Sequence, residues 1–237
     1  MTGRSGEWEV WAADASGANA VQVSFLAANP GFPRWSPDGK SIAFHCNTEA
    51  TGTADVFVVP AEGGKPRNVT SHPANDTFPS FSHDGQWIYF SSNRSGAPFI
   101  WKIPVSGGSA VQVSPTPGLL AIESSDGAYL YYVEDPRTDG FGPLVRLPLK
   151  GGEPVKLVEG VASTSFDVID GGVYYIARVA GGTQVNYFDF ATRRSTTIAG
   201  KLGNVVWGLT ATHDGRTILF SRVDSSVDDL MLVENFR

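Results

Sequence analysis

Five Asp-Gly pairs, each set between two apolar runs and spaced 42 to 46 residues apart, predict an all-β fold, a β-propeller in which one repeat makes one four-stranded antiparallel blade. They are Asp38-Gly39, Asp84-Gly85, Asp126-Gly127, Asp170-Gly171 and Asp214-Gly215. Two further observations agree. Aromatic residues make up 11% of the 237 residues, and 27 Gly and 15 Pro supply turns for many short strands. The apolar run after most of these pairs is continuous rather than alternating, as in Ile42-Ala43-Phe44 or Tyr129-Leu130-Tyr131-Tyr132-Val133. A strand covered on both faces reads that way.

The first full repeat, about 31–72, gives an innermost strand A at Phe32 to Ser36, a turn at Pro37-Asp38-Gly39-Lys40 and strand B at Ser41 to Phe44. Pro37 presets φ for the turn, and Gly39 can take positive φ. Strand C is Asp55 to Val59, Gly63-Gly64 reverses the chain, and Pro66 to Thr70 forms an edge strand D, where proline is tolerated. The second repeat, 77–115, follows the same grammar through Phe78 to Ser82, Trp87 to Phe90, Phe99 to Ile103 and Val111 to Val113. The third, 119–159, and the fourth, 163–200, repeat it, with Ala191-Thr192-Arg193 replacing the double glycine in the fourth. The fifth, 205–237, has strands at Gly208 to Thr212, Thr217 to Phe220 and Leu230 to Val233, and no strand D of its own.

The N-terminus supplies extra strands. Arg4-Ser5-Gly6 echoes Arg94-Ser95-Gly96, Trp11 falls where Trp101 falls, and Ala20 to Val23 echoes Ala110 to Val113. The chain thus begins in mid-blade, and residues 1–24 are expected to close the ring against the last blade, which removes open edges. Because Trp8 to Trp11 and Leu230 to Val233 both read as strand C, five blades and six are both compatible with the pattern. Repeats running from end to end imply a single domain over 1–237, expected to be the C-terminal part of a longer protein.

Net charge is −6, so this segment is not expected to grip nucleic acid or an anionic membrane. The single cysteine, Cys46, excludes an internal disulfide and reads as a small hydrophobe. The polar Met1 to Gly6 lacks the apolar stretch of a signal peptide, and no later run is long enough to span a bilayer. As written the chain reads as cytoplasmic; an upstream signal or anchor would make it periplasmic.

The phrases Trp35-Ser36-Pro37-Asp38-Gly39-Lys40 with Ile42-Ala43-Phe44, and Ser92-Asn93-Arg94-Ser95-Gly96 with Ile100-Trp101, resemble the WD40-like (PD40) repeats of bacterial TolB-type β-propellers. The Gly-His and Trp-Asp signatures of true WD40 repeats are missing. The tail, Asp228 to Arg237, is similar to the end of propellers appended to bacterial winged-helix transcriptional regulators and serine/threonine kinases. The second resemblance implies a sensory or interaction module with its output domain upstream.

No G-x-S-x-G nucleophile elbow occurs, so the hydrolase half of a propeller-capped peptidase is not in this sequence. His45, His72, His83 and His213 lack metal-ligand spacing and read as solvated histidines, and no metal or cofactor is expected. Glu123 and Asp167 stand three residues before their Asp-Gly pairs, where the first two blades carry Trp35 and Phe81. A carboxylate on an innermost strand must be paired or face the axial channel. The D-to-A and B-to-C loops emerge on one face and carry His72, Asn75, Asp76, Asn93, Arg94, Asp135, Arg137 and Asp139. Binding residues favour such loops. The expected function is a noncatalytic propeller recognising a protein, peptide or small ligand at that face and at the channel mouth. The rival is a metal-dependent propeller enzyme of lyase or lactonase type using Glu123 and Asp167, and a third reading is a TolB-like periplasmic scaffold.

Overall fold

A computed structural model describes residues 8–14, 16–26, 28–47, 52–134, 139–200, 202–203, 205–212 and 214–222, with backbone alone for 205–207 and 222. Among the described residues every regular element is a β-strand and every pairing is antiparallel. The chain enters through a hairpin of β1 (Trp11–Ala12) and β2 (Val21–Gln22). Blade one follows as β3 (Gly31–Trp35), β4 (Ser41–Asn47), β5 (Ala54–Pro60) and β6 (Arg67–Asn68), hydrogen-bonded in that order. Blade two takes β7 (Asp76–Phe81), β8 (Trp87–Ser92), β9 (Phe99–Pro104) and the first part of β10 (Val111–Glu123).

The second part of β10 opens blade three, continued by β11 (Tyr129–Glu134), β12 (Phe141–Pro148) and the first part of β13 (Val155–Ile169). Blade four uses the rest of β13 with β14 (Gly172–Val179), β15 (Gly182–Asp189) and β16 (Arg194–Ala199). β17 (Val205–Ala211) and β18 (Ile218–Arg222) are strands A and B of the last blade. Strands β10 and β13 each change partner midway. In β10, Gln112 lies opposite Trp101 of β9 and Ala121 opposite Tyr132 of β11. Three blades are therefore strung into one continuous ten-strand ribbon.

Along strand B of blades one to four successive residues turn to opposite faces, with an apolar cluster on either side. Ala43 of β4 packs with Ile88 and Phe90 of β8, while Ile42, Phe44 and Cys46 pack with Val10 and Val23 of the N-terminal hairpin. Leu130 and Tyr132 of β11 face Tyr89 and Ile100 of blade two; Tyr131 and Val133 face Phe166, Val173 and Tyr175 of blade four. Ile176 then meets Leu209 of β17. This two-sided burial explains the continuous apolar runs of the sequence. It also makes Cys46 inert: burial pushes its thiol up to about 11, and it donates to the Ala28 carbonyl.

The N-terminal hairpin takes the place of a blade preceding blade one. Its backbone confirms that identity. Val10 N–H donates to Ser24 Oγ just as Val56 N–H donates to Thr70 Oγ1 and Ile100 N–H to Ser114 Oγ, in each case 14 residues apart. Glu9 accepts from the Ser24 hydroxyl as Asp55 accepts from Thr70. The hairpin is thus strands C and D of a blade. Among the described residues β2 pairs with β1 alone, and β18 with β17 alone. Leu230 to Val233, the segment read as strand C of the fifth repeat, lies outside the described residues.

Four of the five Asp-Gly turns share one clasp. In the first, Ser36 Oγ donates to Asp38 Oδ1 at 2.6 Å, Lys40 N–H donates to the same oxygen, and Ser41 N–H donates to Ser36 Oγ. Ser82 and Asp84, Ser124 and Asp126, and Thr212 and Asp214 repeat it. Gly39 takes φ 69° at the turn, which a side chain would strain. In blade four Val168 stands where the hydroxyl would be, and Asp170 instead accepts from Ser125 of the neighbouring blade.

Hydroxyl donation holds the carboxyls of Asp38, Asp84, Asp126 and Asp214 below their ordinary value of 3.8. A depressed carboxyl stabilises the fold above its unfolded value and ceases to do so as pH falls through the folded one. The melting temperature of the wild type is therefore expected to drop steeply below about pH 4. Replacing all four with Asn should flatten that limb; an unchanged limb would refute the clasp as its source.

Candidate functional site

The polar residues of the first two D-to-A and B-to-C loops are brought together, but they are consumed by the fold. Asp55, buried at the start of β5, accepts from Asn68, from Thr70 and from the His72 backbone N–H. His72 Nδ1 accepts from Ala74 N–H, so the imidazole staples its own loop. Asn75 Oδ1 accepts from Ala54 N–H, and Asn75 N–H donates to Asn93 Oδ1, tying blade one to blade two. Asp76, with no solvent exposure, pairs with Arg94 at 2.7 Å, and that guanidinium also donates to Ser92 Oγ and lies over Phe90 and Trp101.

The remaining candidates are dispersed. Asp139 pairs with Arg178 at 2.8 Å across the B-to-C loops of blades three and four. Asp135 and Arg137 lie outside the described residues. Glu123, whose side chain is 7% exposed, faces His83 of the neighbouring blade, with Nδ1 and Oε1 3.4 Å apart. Its other oxygen, Oε2, is buried without a hydrogen-bond partner. Burial first, and then the adjacent Glu123 carboxylate, push the Tyr89 hydroxyl up. Glu123 thus spans blades two and three, so His83 is an inter-blade contact as well as a turn residue.

Asp167 behaves differently. It projects from β13 toward the innermost strand of the last blade, where Oδ2 accepts from Thr210 Oγ1 at 2.7 Å and from Ala211 N–H at 2.9 Å. Oδ1 accepts from Val168 N–H. Across a cleft stands Arg34 of β3, its Nη1 3.9 Å from the same Oδ2. The cleft has a volume of about 580 Å³ and is walled by Phe32 to Trp35, Asp167 to Ile169, Gly208 to Ala211 and Leu219 to Ser221. Three innermost strands and one strand B therefore converge on it. The innermost-strand positions lie one to six residues before their Asp-Gly pairs, so the cleft sits at the A-to-B turn end of the axis, away from the loop face.

Its shape follows from a bulge repeated in every innermost strand. Register shifts fall between Gly31 and Arg34, Thr77 and Ser80, Gly118 and Ala121, Val161 and Phe166, and Val205 and Leu209. Six residues before the Asp, three of these strands turn left-handed: Phe32 at φ 50°, Phe78 at 53° and Gly208 at 75°. Bulky residues rarely adopt that conformation, which costs roughly 1 to 2 kcal/mol. Packing offsets the strain, since Phe32 and Phe78 meet edge to face at 4.5 Å and Phe32 stacks on His45 at 5.6 Å. His45 is therefore not a solvated histidine; its Nδ1 accepts from Phe78 N–H, and burial pushes its imidazole down to about 4.

Sequence reasoning missed Arg34, Trp35, Leu219 and Phe220. One signal was available. The other four blades carry Ser80, Ile122, Phe166 and Thr210 at the position of Arg34, so the arginine departs from the repeat. Trp35, 53% exposed, was visible only as a strand residue. Among the described residues no group of three or more His, Cys, Asp or Glu side chains converges as a metal site.

The stacked four-stranded blades, the carrying over of one blade's strand D into the next blade's strand A, and an axial cleft walled by innermost strands define a β-propeller. The chain belongs to the PD40 family, the TolB beta propeller domain, whose model matches residues 2–165. No curated protein matches it. Among solved structures, TolB from Acinetobacter baumannii superposes with a TM-score of 0.69 at 20% identity, over 82% of this chain and 49% of that one. This chain thus spans about half the length of that TolB. The tricorn protease matches with a TM-score of 0.67 at 19% identity, over 90% of this chain and 22% of that one. A chain of the nidogen/laminin complex matches with 0.69 at 11% identity, over 88% and 77%. At such identities the likeness is one of fold.

Two consequences can be measured. Truncating Asp76 to Ala leaves the Arg94 guanidinium buried without its counter-ion and should cost about 3 to 5 kcal/mol in denaturant unfolding; a loss under 1 kcal/mol would show the pair to be dispensable. For His45, the unfolded chain takes up a proton near the ordinary value of 6.5 and the folded chain near 4. Stability should therefore fall as pH drops from 6.5 to 4, by at most about 3 kcal/mol, and His45→Gln should remove that slope.

Proposed function

We propose that this propeller is a noncatalytic binding module that takes a protein, peptide or small ligand in the axial cleft between β3, β13, β17 and β18. The observation that carries this reading is the cleft itself, about 580 Å³ with an apolar wall and one opposed charge pair, Arg34 and Asp167. Ligand sites have this size and this ratio of apolar lining to a few placed polar groups. Its walls are innermost strands fixed by inter-blade packing, so the site is preformed. The loop polars His72, Asn75, Asp76, Asn93 and Arg94 contribute rigidity through hydrogen bonds to one another and to the backbone.

Among the described residues the charged groups lining the cleft are Arg34 and Asp167, without a second carboxylate, a histidine or a cysteine beside them. General acid-base or metal chemistry draws on such convergent groups, so the composition favours binding. Glu123 and Asp167 engage different neighbours, His83 in one case and Thr210 with Arg34 in the other, which argues against their serving one metal. A matching chain in the nidogen/laminin complex is consistent with a protein or peptide partner, whereas the tricorn protease match keeps fold alone from deciding the matter.

On this reading residues 1–237 act as one domain. A role as the sensory part of a larger bacterial regulator rests on the likeness of Asp228 to Arg237 to the ends of regulator-linked propellers, and those residues lie outside the described ones.

Titrating an isotope-labelled sample with a library of apolar fragments and short peptides should shift amide signals of Trp35, Gly208, Leu209, Leu219 and Phe220. Trp35→Ala should weaken the best binder by roughly 1 to 3 kcal/mol. Shifts confined to the loops carrying His72, Asn75 and Asn93 would transfer the site to the opposite face.

A further inference from the structure

We infer that the cleft recognises a carboxylate carried on an apolar body, with Arg34 as the residue that holds the carboxylate; the inference rests on reading the cleft as the binding site. A guanidinium has five donors in a planar fork. The Arg34 side chain is 20% exposed, and among the described residues its one ion pair is with Asp167 Oδ2 at 3.9 Å. That separation is too long for a hydrogen bond. The Arg34 donors are therefore left without a hydrogen bond to the described protein and open to a ligand in the cleft.

Asp167 does not need Arg34. Its oxygens already accept from Thr210 Oγ1, Ala211 N–H and Val168 N–H. Nor does the blade need an arginine at this position, since Ser80, Ile122, Phe166 and Thr210 fill it elsewhere. Arg94 and Arg178, by contrast, each meet a carboxylate within 2.8 Å and lie over aromatic rings. Arg34 lines, without a hydrogen bond to the described residues, a cleft walled by Phe32, Trp35, Ile169, Leu209, Leu219 and Phe220.

The charge balance selects the anion. With Asp167 beside it, one guanidinium can accommodate a monoanion in a bidentate pair, as Arg does with carboxylates. A phosphate dianion would bring a second charge against Asp167 and would have to shed its hydration among aromatic and aliphatic side chains. The apolar wall then holds the rest of the ligand. Two sources share this chemistry: the free C-terminus of a peptide ending in a large apolar residue, and a small aliphatic or aromatic carboxylic acid.

The test compares acid with amide on the full chain by calorimetry. The probes are N-acetyl-Ala-Leu-Phe with a free C-terminus and its C-terminal amide, and 4-phenylbutyrate with 4-phenylbutyramide. The expected result is that an acid binds at least about tenfold more tightly than its amide, in keeping with a charge-assisted bidentate contact. Arg34→Gln should collapse that ratio to near one by weakening the acid, and Arg34→Lys, which keeps the charge and loses the fork, should restore it in part. A preference for the peptide acid identifies a chain end as the source, and a preference for phenylbutyrate a free acid. Equal binding of acid and amide to the wild type overturns the carboxylate assignment and leaves the cleft standing as a binding site. If no probe binds and no cleft signal moves, both readings fall. Should Arg34→Gln not fold, the wild-type ratio of acid to amide decides the question alone.

Discussion

Burial of both faces of each blade against its neighbours is the interaction on which the rest of this propeller depends. A single four-stranded antiparallel sheet can bury one face and leave the other wet, and would then read as alternating apolar and polar residues. Here Tyr131 and Val133 turn to blade four while Leu130 and Tyr132 turn to blade two, and β4 and β8 divide their residues the same way. No blade is therefore stable by itself in the way a sandwich sheet is. The N-terminal hairpin is held by the same rule, through Val10 and Val23 against Ile42 and Phe44.

Stacking of this kind brings polar backbone and side-chain groups near the axis and the loop faces, where each must be satisfied. The structure meets the requirement with a small set of repeated devices. Hydroxyl-to-carboxylate clasps close four of the Asp-Gly turns, and a Ser or Thr in or just past strand D accepts from an N–H near the start of strand C in three blades. The Asp76 and Arg94 pair joins β7 to the loop after β8. Glu123, with Oε2 buried and unpartnered, and Arg34, with no hydrogen bond among the described residues, are exceptions, and Arg34 lies in the axial cleft.

The left-handed bulges link stability to the site. Phe32 and Phe78 hold an unfavourable φ because His45 and the two rings pack tightly enough to compensate. The bulge redirects the strand just before Arg34 and Trp35 and so presents both to the cleft.

The repeat length, the Asp-Gly turns, the two-sided strands and the C- and D-strand character of the hairpin around Trp11 and Val21 were legible in the sequence, because each depends on residues close together in the chain and recurs. Glu123 and Asp167 were also legible as exceptions to an aromatic position, although one proves to be paired with His83 and the other to line a cleft. The loop residues His72, Asn75, Asp76, Asn93 and Arg94 looked available because sequence shows polarity and not occupancy; the partners that occupy them come from other loops and strands. His45 looked like a surface residue because nothing local shows that Phe32 and Phe78 will meet around it. The sequence by itself determined the blade, since hydrophobic period and turn chemistry act over a few residues. Only the tertiary structure decided the site, since Arg34, Asp167 and Phe220 are distant in the chain and become neighbours only when the blades are arranged around an axis.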